Sequence, residues 1–269
     1  ALDADSEGVE GKFYTFEDAE FNVLGEDAEL ARNYFNIKKS GNWTEEQINI
    51  PFVHAEDEHV ISEAGYSEQE WDTHLKEIKS KLLAYRSKRI RPGLDHKQLT
   101  TWNALFLKGL VDAFRTFHED RYLKLALGIA NFIESKCCQN GRLLHQPSDS
   151  NRTIFGFLDD YAFTIEAYIS LYEATFDESW LNKAKTYADI AISQFYDVSI
   201  GTFYYSGIDA EVLIARKSEI MDNVIPASSS TIVRYLFKLG LLFDNNGYTE
   251  IADRGVANVF PHFKYYGSA

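Results

Sequence analysis

Two adjacent carboxylates, Asp159 and Asp160, sit in the string Gly156-Phe157-Leu158-Asp159-Asp160-Tyr161-Ala162-Phe163. Neighbouring carboxylates repel, so one pKa rises and that group becomes a proton donor near neutrality. Such a pair suits acid–base work on a sugar, with one group as acid and a second as base. Adjacent residues on a helix point about 100° apart. The plainer alternative is therefore that one aspartate caps the helix and the other pairs with an arginine.

A second string runs Arg89-Ile90-Arg91-Pro92-Gly93-Leu94-Asp95-His96-Lys97 and continues to Thr100-Thr101-Trp102-Asn103. Pro92 ends one helix, and Asp95 can cap the next. Trp102 offers a stacking face. Arg89, Arg91, Asp95 and Asn103 offer hydrogen bonds to hydroxyls. His96 is the only histidine expected at this rim and is the candidate base. The bland alternative is an ion-paired helix start with a core tryptophan. Two further strings are weaker. Asp3-Ala4-Asp5-Ser6-Glu7-Gly8-Val9-Glu10-Gly11 carries four carboxylates without the spacing of a calcium loop, and reads equally as a solvated acidic turn. Met221-Asp222-Asn223-Val224-Ile225-Pro226-Ala227-Ser228-Ser229-Ser230 starts a helix through Pro and Ser, with Asp222 as a candidate sugar contact. No phosphate-cradling glycine string, HExxH or GxSxG is present. The expectation is no cofactor and no metal.

The elements that position these groups repeat. His118-Glu119-Asp120-Arg121-Tyr122-Leu123 matches Phe176-Asp177-Glu178-Ser179-Trp180-Leu181, with a third copy at Asn245-Asn246-Gly247-Tyr248. Gly141-Arg142-Leu143-Leu144-His145 matches Gly201-Thr202-Phe203-Tyr204-Tyr205, and Gly11-Lys12-Phe13-Tyr14 resembles both. Trp102-Asn103-Ala104 matches Tyr161-Ala162-Phe163. The landmarks share a period of roughly 60 residues, too long for two-helix solenoid units. Trp71, Leu75, Ile78, Leu82 and Tyr85 form one helical stripe, behind a Ser67/Glu70 capping box. Tyr122, Leu125, Ala126, Ile129 and Ile133 form another, and Trp180, Ala184, Tyr187, Ala188, Ala191 and Phe195 a third. Leu105–Phe117 and Ala162–Tyr172 are apolar all round, which predicts buried helices.

Buried and amphipathic helices thus alternate, as two concentric rings require. Helices are predicted near 16–36, 66–87, 97–117, 120–136, 157–175, 177–196, 227–243 and 247–260. An irregular stretch is predicted at 37–65, and β-turn segments at 141–146 and 201–214. The fold class is all-α: an incomplete (α/α) toroid, about 3.5 of six hairpins. No linker rich in Gly, Pro or Ser divides the chain, so residues 1–269 read as one domain.

Composition narrows the function. The chain has 269 residues, 45% apolar and 25% charged, with 27 basic and 41 acidic side chains. Those values exclude disorder. The net charge of −14 argues against nucleic acid, which needs clustered Lys and Arg. No run of about 18 apolar residues exists to span a membrane. Two adjacent cysteines, Cys137 and Cys138, cannot build a disulfide framework and point to a reducing, cytoplasmic setting. The chain opens without Met and without a signal peptide's basic and apolar regions, as a processed chain or fragment does.

Taken together, Ala1 to Gly8, Glu10 to Tyr14, Arg89 to Asn103 and Gly156 to Phe163 resemble the thioredoxin-domain-containing YyaL/spermatogenesis-associated protein family. The resemblance covers almost the whole chain. It implies a thioredoxin-like domain followed by an α/α toroid akin to N-acylglucosamine 2-epimerases and six-hairpin glycosidases. The thioredoxin-like part and first hairpins would lie outside this chain and would be its partner. His96 replaces a frequent Asp of the family, Ala104 a common Gly, and Asn223-Val224-Ile225 a Gly-Ala-Thr run. Two functions follow as expectations. One is a carbohydrate-processing or carbohydrate-binding toroid using Asp159 or Asp160 as acid or base, with Trp102, Tyr161, Arg89 and Arg91 holding the sugar. The other is a non-catalytic scaffold for the thioredoxin-like part.

Overall fold

The structure is a computed structural model that describes residues 2–148, 153–210 and 215–260. Its contacts group the chain into two compact units, Ala1–His96 and Lys97–Ala269, where the sequence predicts one domain. Each unit is described by itself.

The first unit opens with the acidic string. It forms a β-hairpin, β1 (Asp5–Ser6) against β2 (Val9–Glu10), with Ser6 opposite Val9. Glu7 and Gly8 both take positive φ, 54° and 76°, the geometry of a two-residue hairpin turn. The carboxylates are thus spread along a turn, and Glu7 pairs with Lys12 at 2.8 Å. Among the described residues no three His, Cys, Asp or Glu side chains are grouped to hold a metal. A 3-10 segment Asp18–Asp27 leads into α1 (Ala28–Tyr34), then α2 (Asp57–Ala64) and α3 (Glu68–Arg86). α3 behaves as its sequence predicts. Trp71, Leu75, Ile78 and Leu82 are buried, and the Ser67/Glu70 box closes with bonds of 2.8 and 3.3 Å. α2 falls in the stretch expected to be irregular. It has only Val60 and Ile61 as large apolar residues, too few to print a helical period, and stops at Gly65 in the left-handed conformation.

The second unit holds three helical hairpins: α4 (Thr100–Phe117) with α5 (Asp120–Lys136), α6 (Leu158–Thr175) with α7 (Glu178–Phe195), and α8 (Ser228–Leu242) with α9 (Asn246–Val259). α6 lies between α4 and α8, and α5, α7 and α9 each back their own partner. Sharp corners make the reversals: His118 and Phe176 cap their helices in the left-handed region. Asp177 and Asn245 then start α7 and α9 by accepting from Ser179 and Gly247 N–H groups. α6 buries thirteen residues on every side, as an inner helix with neighbours all round should. α4 departs from the same expectation. Within its unit it has one inner neighbour, and Trp102 and Phe106 are 51% and 60% exposed.

Each of the first two hairpins is followed by a two-stranded sheet. β3 (Cys138–Gln139) pairs with β4 (Arg142–Leu143), and β5 (Tyr196–Asp197) with β6 (Thr202–Phe203). They realise the expected segments 141–146 and 201–214, of which 211–214 lie outside the described residues. Behind the helices, Glu134 of α5 accepts from both Tyr168 and Tyr187 at 2.8 Å and pairs with Lys183. No helix of the described residues is long and apolar enough to cross a membrane.

Candidate active site at the inner-helix starts

The short sheets aim the chain back at the helix starts. The carbonyl of His145, just past β4, accepts the Thr100 N–H at 2.9 Å, and the carbonyl of Tyr205, just past β6, accepts the Leu158 N–H at 3.0 Å. One repeat apart, the same device closes the first turn of α4 and of α6. Helix starts carry unpaired N–H groups and a partial positive charge, which is where negative groups settle.

Asp160 settles there. It is fully buried. Its Oδ1 accepts the Thr101 N–H at 3.0 Å and the Thr101 hydroxyl at 2.7 Å. Its Oδ2 accepts the Phe157 N–H at 2.9 Å and stands 2.9 Å from His145 Nδ1. The carboxylate therefore ties the starts of α4 and α6 together. Asp159 is 8% exposed and has a different environment. Its Oδ1 accepts the Asp160 N–H at 2.9 Å. Burial, and next the charge of Asp160, push its pKa up to about 6. Its proton is thus held up to nearly neutral pH, where it can be exchanged.

Three rings surround the pair. Tyr205 stacks on Phe157 at 5.2 Å and 9°. Its phenol is hydrogen-bonded to Asp159, and burial, then the charges of Asp159 and Asp160, raise its pKa. His145 meets Phe157 edge-on at 5.1 Å. Its hydrogen bond to Asp160 raises its pKa against the opposing effect of burial. The His145 side chain is 22% exposed, so the cluster reaches solvent through this ring.

The sequence-predicted residues divide. Asp159, Asp160 and the start of α4 come together, and Trp102 follows Thr101 with an open face. Asn103 turns its amide back to the Leu99 carbonyl at 2.8 Å. Tyr161 is not at the rim: it is fully buried, its hydroxyl accepting the Leu143 N–H at 3.1 Å. One step past Asp160, the helix turns it into the interior, edge-on to Tyr187 at 6.1 Å. Asp222 is exposed and accepts the Ala227 N–H at 2.8 Å, bracing the loop before α8.

Arg89, Arg91, Asp95 and His96 belong to the first unit. Arg89 is a brace rather than an open contact. Its guanidinium holds Glu20 through both carboxylate oxygens at 2.8 Å and reaches the Phe13 and Thr15 carbonyls at 3.1 and 2.6 Å. Removing it strands buried carbonyls and a carboxylate. Arg89→Leu is expected to destabilise the first unit by about 2–4 kcal/mol, read by urea unfolding; an unchanged midpoint contradicts the brace. Arg91, Asp95 and His96 are exposed.

The histidine at the carboxylates is His145, which sequence reasoning passed over. The signal was present: His145 aligns with Tyr205 in the repeat, and both touch the aspartates. Two cavities among the described residues lie apart from this pair. One of about 240 Å³ is lined by Phe203, Ser229, Val233 and Val256. Another of about 750 Å³, in the first unit, is lined by Asn33, Lys38, His54 and His59.

No family model matches the chain. An uncharacterised protein of Caenorhabditis elegans is 28% identical over 93% of this chain and 37% of its own length. Human spermatogenesis-associated protein 20 is 26% identical over 78% of this chain and 29% of its own. The chain spans about a third of the length of these curated relatives. Among solved structures, a GH76 α-mannanase of Bacteroides thetaiotaomicron matches with TM-score 0.51 and 19% identity, over 63% of this chain and 46% of its own. A cellobiose 2-epimerase of Bacillus thermoamylovorans matches with TM-score 0.50 and 14% identity, over 65% and 47%. An α-1,6-mannanase of Salegentibacter matches with TM-score 0.50 and 14% identity, over 70% and 54%. Its structure is of an inactive variant with two adjacent aspartates changed to asparagine, in complex with α-1,6-mannotriose. These likenesses give the fold: an α/α toroid arrangement of hairpins.

Proposed function

We propose that the second unit processes a carbohydrate by acid–base chemistry at the starts of α4 and α6, with Asp159 exchanging the proton. The observation that carries this reading is the unequal aspartate pair. Asp160 is saturated with hydrogen bonds, while Asp159 is held protonatable at about pH 6. Paired carboxyl groups in unlike environments are a recurrent acid–base arrangement. Support also comes from the fold, shared with sugar-processing enzymes, and from the mannanase whose inactive variant lacks two adjacent aspartates. A hydroxyl-rich neutral ligand suits the acidic chain, and Trp102 gives it an aromatic face beside Thr101. The thioredoxin-like segment implied by the resemblance, and any role as its scaffold, belong to the whole protein and are proposals as well.

The test offers mono- and disaccharides to the protein and follows saturation transfer by NMR. Release of reducing ends from α-mannan, and exchange of the C2 hydrogen of aldoses in D2O, are measured in parallel. Binding with either reaction supports the reading. No binding and no reaction supports the non-catalytic scaffold. Trp102→Ala is expected to weaken sugar binding about 5- to 10-fold, the value of one stacked ring. Unchanged affinity removes Trp102 from the site.

A further inference from the structure

Asp160 is closed to a substrate. It has no exposed surface, and each of its oxygens already has two partners. An acid–base reaction needs a second group that can reach the substrate, and Asp160 cannot be that group. Among the described residues around the pair, His145 has the required access. Its ring is partly exposed. One nitrogen, Nδ1, is fixed on Asp160 at 2.9 Å. For the other, Nε2, no partner is found among the described residues, and it is not one of the sealed, unpaired atoms.

We propose that His145 is the second proton-transfer group of this site and that Asp160 is its positioning residue. The inference rests on the acid–base reading of Asp159 given above. A carboxylate only accepts hydrogen bonds, so contact with Asp160 puts the hydrogen of neutral His145 on Nδ1. The lone pair is then on Nε2. An aspartate that fixes the tautomer and orientation of a histidine is the arrangement by which that histidine becomes a base. The edge of Phe157 and the His145 backbone, tied to Thr100 and Ile154 at 2.9 Å, hold the ring in place.

The proton balance is complete. Nε2 forms an N–H bond as the attacking water, or the sugar carbon, loses its hydrogen. The electron pair released passes through the reacting carbon to oxygen. That oxygen takes the Asp159 proton as the Asp159 O–H bond breaks. After hydrolysis, return of the proton from Nε2 to Asp159 through solvent restores the site. After C–H cleavage, Nε2–H returns its proton to carbon of the enediol while the hydroxyl proton goes back to Asp159, which re-forms the C–H bond and the carbonyl.

The experiment labels the protein with 15N-histidine and records ring nitrogen shifts against pH. His145 is expected to show the Nδ1–H tautomer when neutral, and Asp160→Asn to shift its populations toward Nε2–H. An Nε2–H tautomer in the unaltered protein overturns the proposal. His145→Ala, which keeps the backbone bond to Thr100, is assayed with the sugar reaction. Expected are a fall in kcat of about 100-fold or more, little change in KM, loss of the limb due to the base in the pH profile, and partial rescue by added imidazole. Full kcat with an unchanged pH profile overturns this inference while leaving Asp159 in its role. A protein that neither binds nor turns over sugars removes the underlying reading and this inference with it.

Discussion

Asp159→Asn is expected to abolish turnover, by roughly 100- to 10,000-fold, and at the same time to stabilise the second unit above neutral pH. The two effects have one cause. The free carboxyl has a pKa of 3.8, and burial beside Asp160 pushes it to about 6. The folded state therefore binds this proton more tightly than the unfolded chain. The resulting stability is fully present below pH 3.8 and is lost as pH rises through about 6. The loss approaches ~3 kcal/mol at most, at 1.36 kcal/mol for each pKa unit. Asparagine has no proton to lose, and its amide oxygen can still accept the Asp160 N–H. The substitution should raise the unfolding midpoint at pH 8, by about 3–10 °C for a unit of this size, and leave it near the parent value at pH 4. His145 acts in the same direction. Its pKa is raised by Asp160, so its contribution is present below 6.5 and fades as pH climbs through the raised value. Thermal unfolding at pH 4, 6 and 8 checks the sign. A variant that is less stable than the parent at pH 8 contradicts the assigned environment of Asp159.

Much of this site was legible because the repeat is a physical constraint. Thr101 and Asp160 stand one repeat apart in the sequence, and in the structure they are joined by two hydrogen bonds. Equivalent turns of neighbouring inner helices lie side by side, so a period of about sixty residues predicts contact without any knowledge of the angle between helices. The same reasoning stops short of side-chain direction. Tyr161 occupies the expected turn, yet the helix points it inward, between α6 and α7. Sequence also cannot pair charges across distance. Arg89 finds Glu20, 69 positions away, and nothing in either local string announces the partner. His145 was hidden for another reason. It lies just beyond the two-residue strand Arg142–Leu143, whose sequence reads as turn packing, and its chemistry arises only when Asp160 arrives from the next helix.

Asp160→Ala should be the most damaging single change in the second unit. It removes the acceptor for two backbone N–H groups, one hydroxyl and one imidazole, around a carboxylate that is itself fully buried. Unmet buried donors cost about 1–3 kcal/mol apiece before relaxation. Breaking a buried ionic pair by deleting one partner costs about 3–5 kcal/mol. These losses overlap, and a total near ~4 kcal/mol is expected, a fall of roughly 10 °C in the midpoint. The loss should be local. Amide exchange should accelerate first in the opening turns of α4 and α6, where Thr101 and Phe157 lose their partner, while the Trp71-centred core of the first unit keeps its protection. Asp160→Asn retains shape and one good acceptor, so it should lose less than half as much stability, although it perturbs His145. That contrast separates anchoring from charge. If alanine and asparagine destabilise equally, the attraction between the Asp160 carboxylate and its partners dominates. If neither does, α4 and α6 are held together by Ala104, Leu107, Phe163 and their neighbours, and the buried aspartate is retained for its effect on His145 and Asp159.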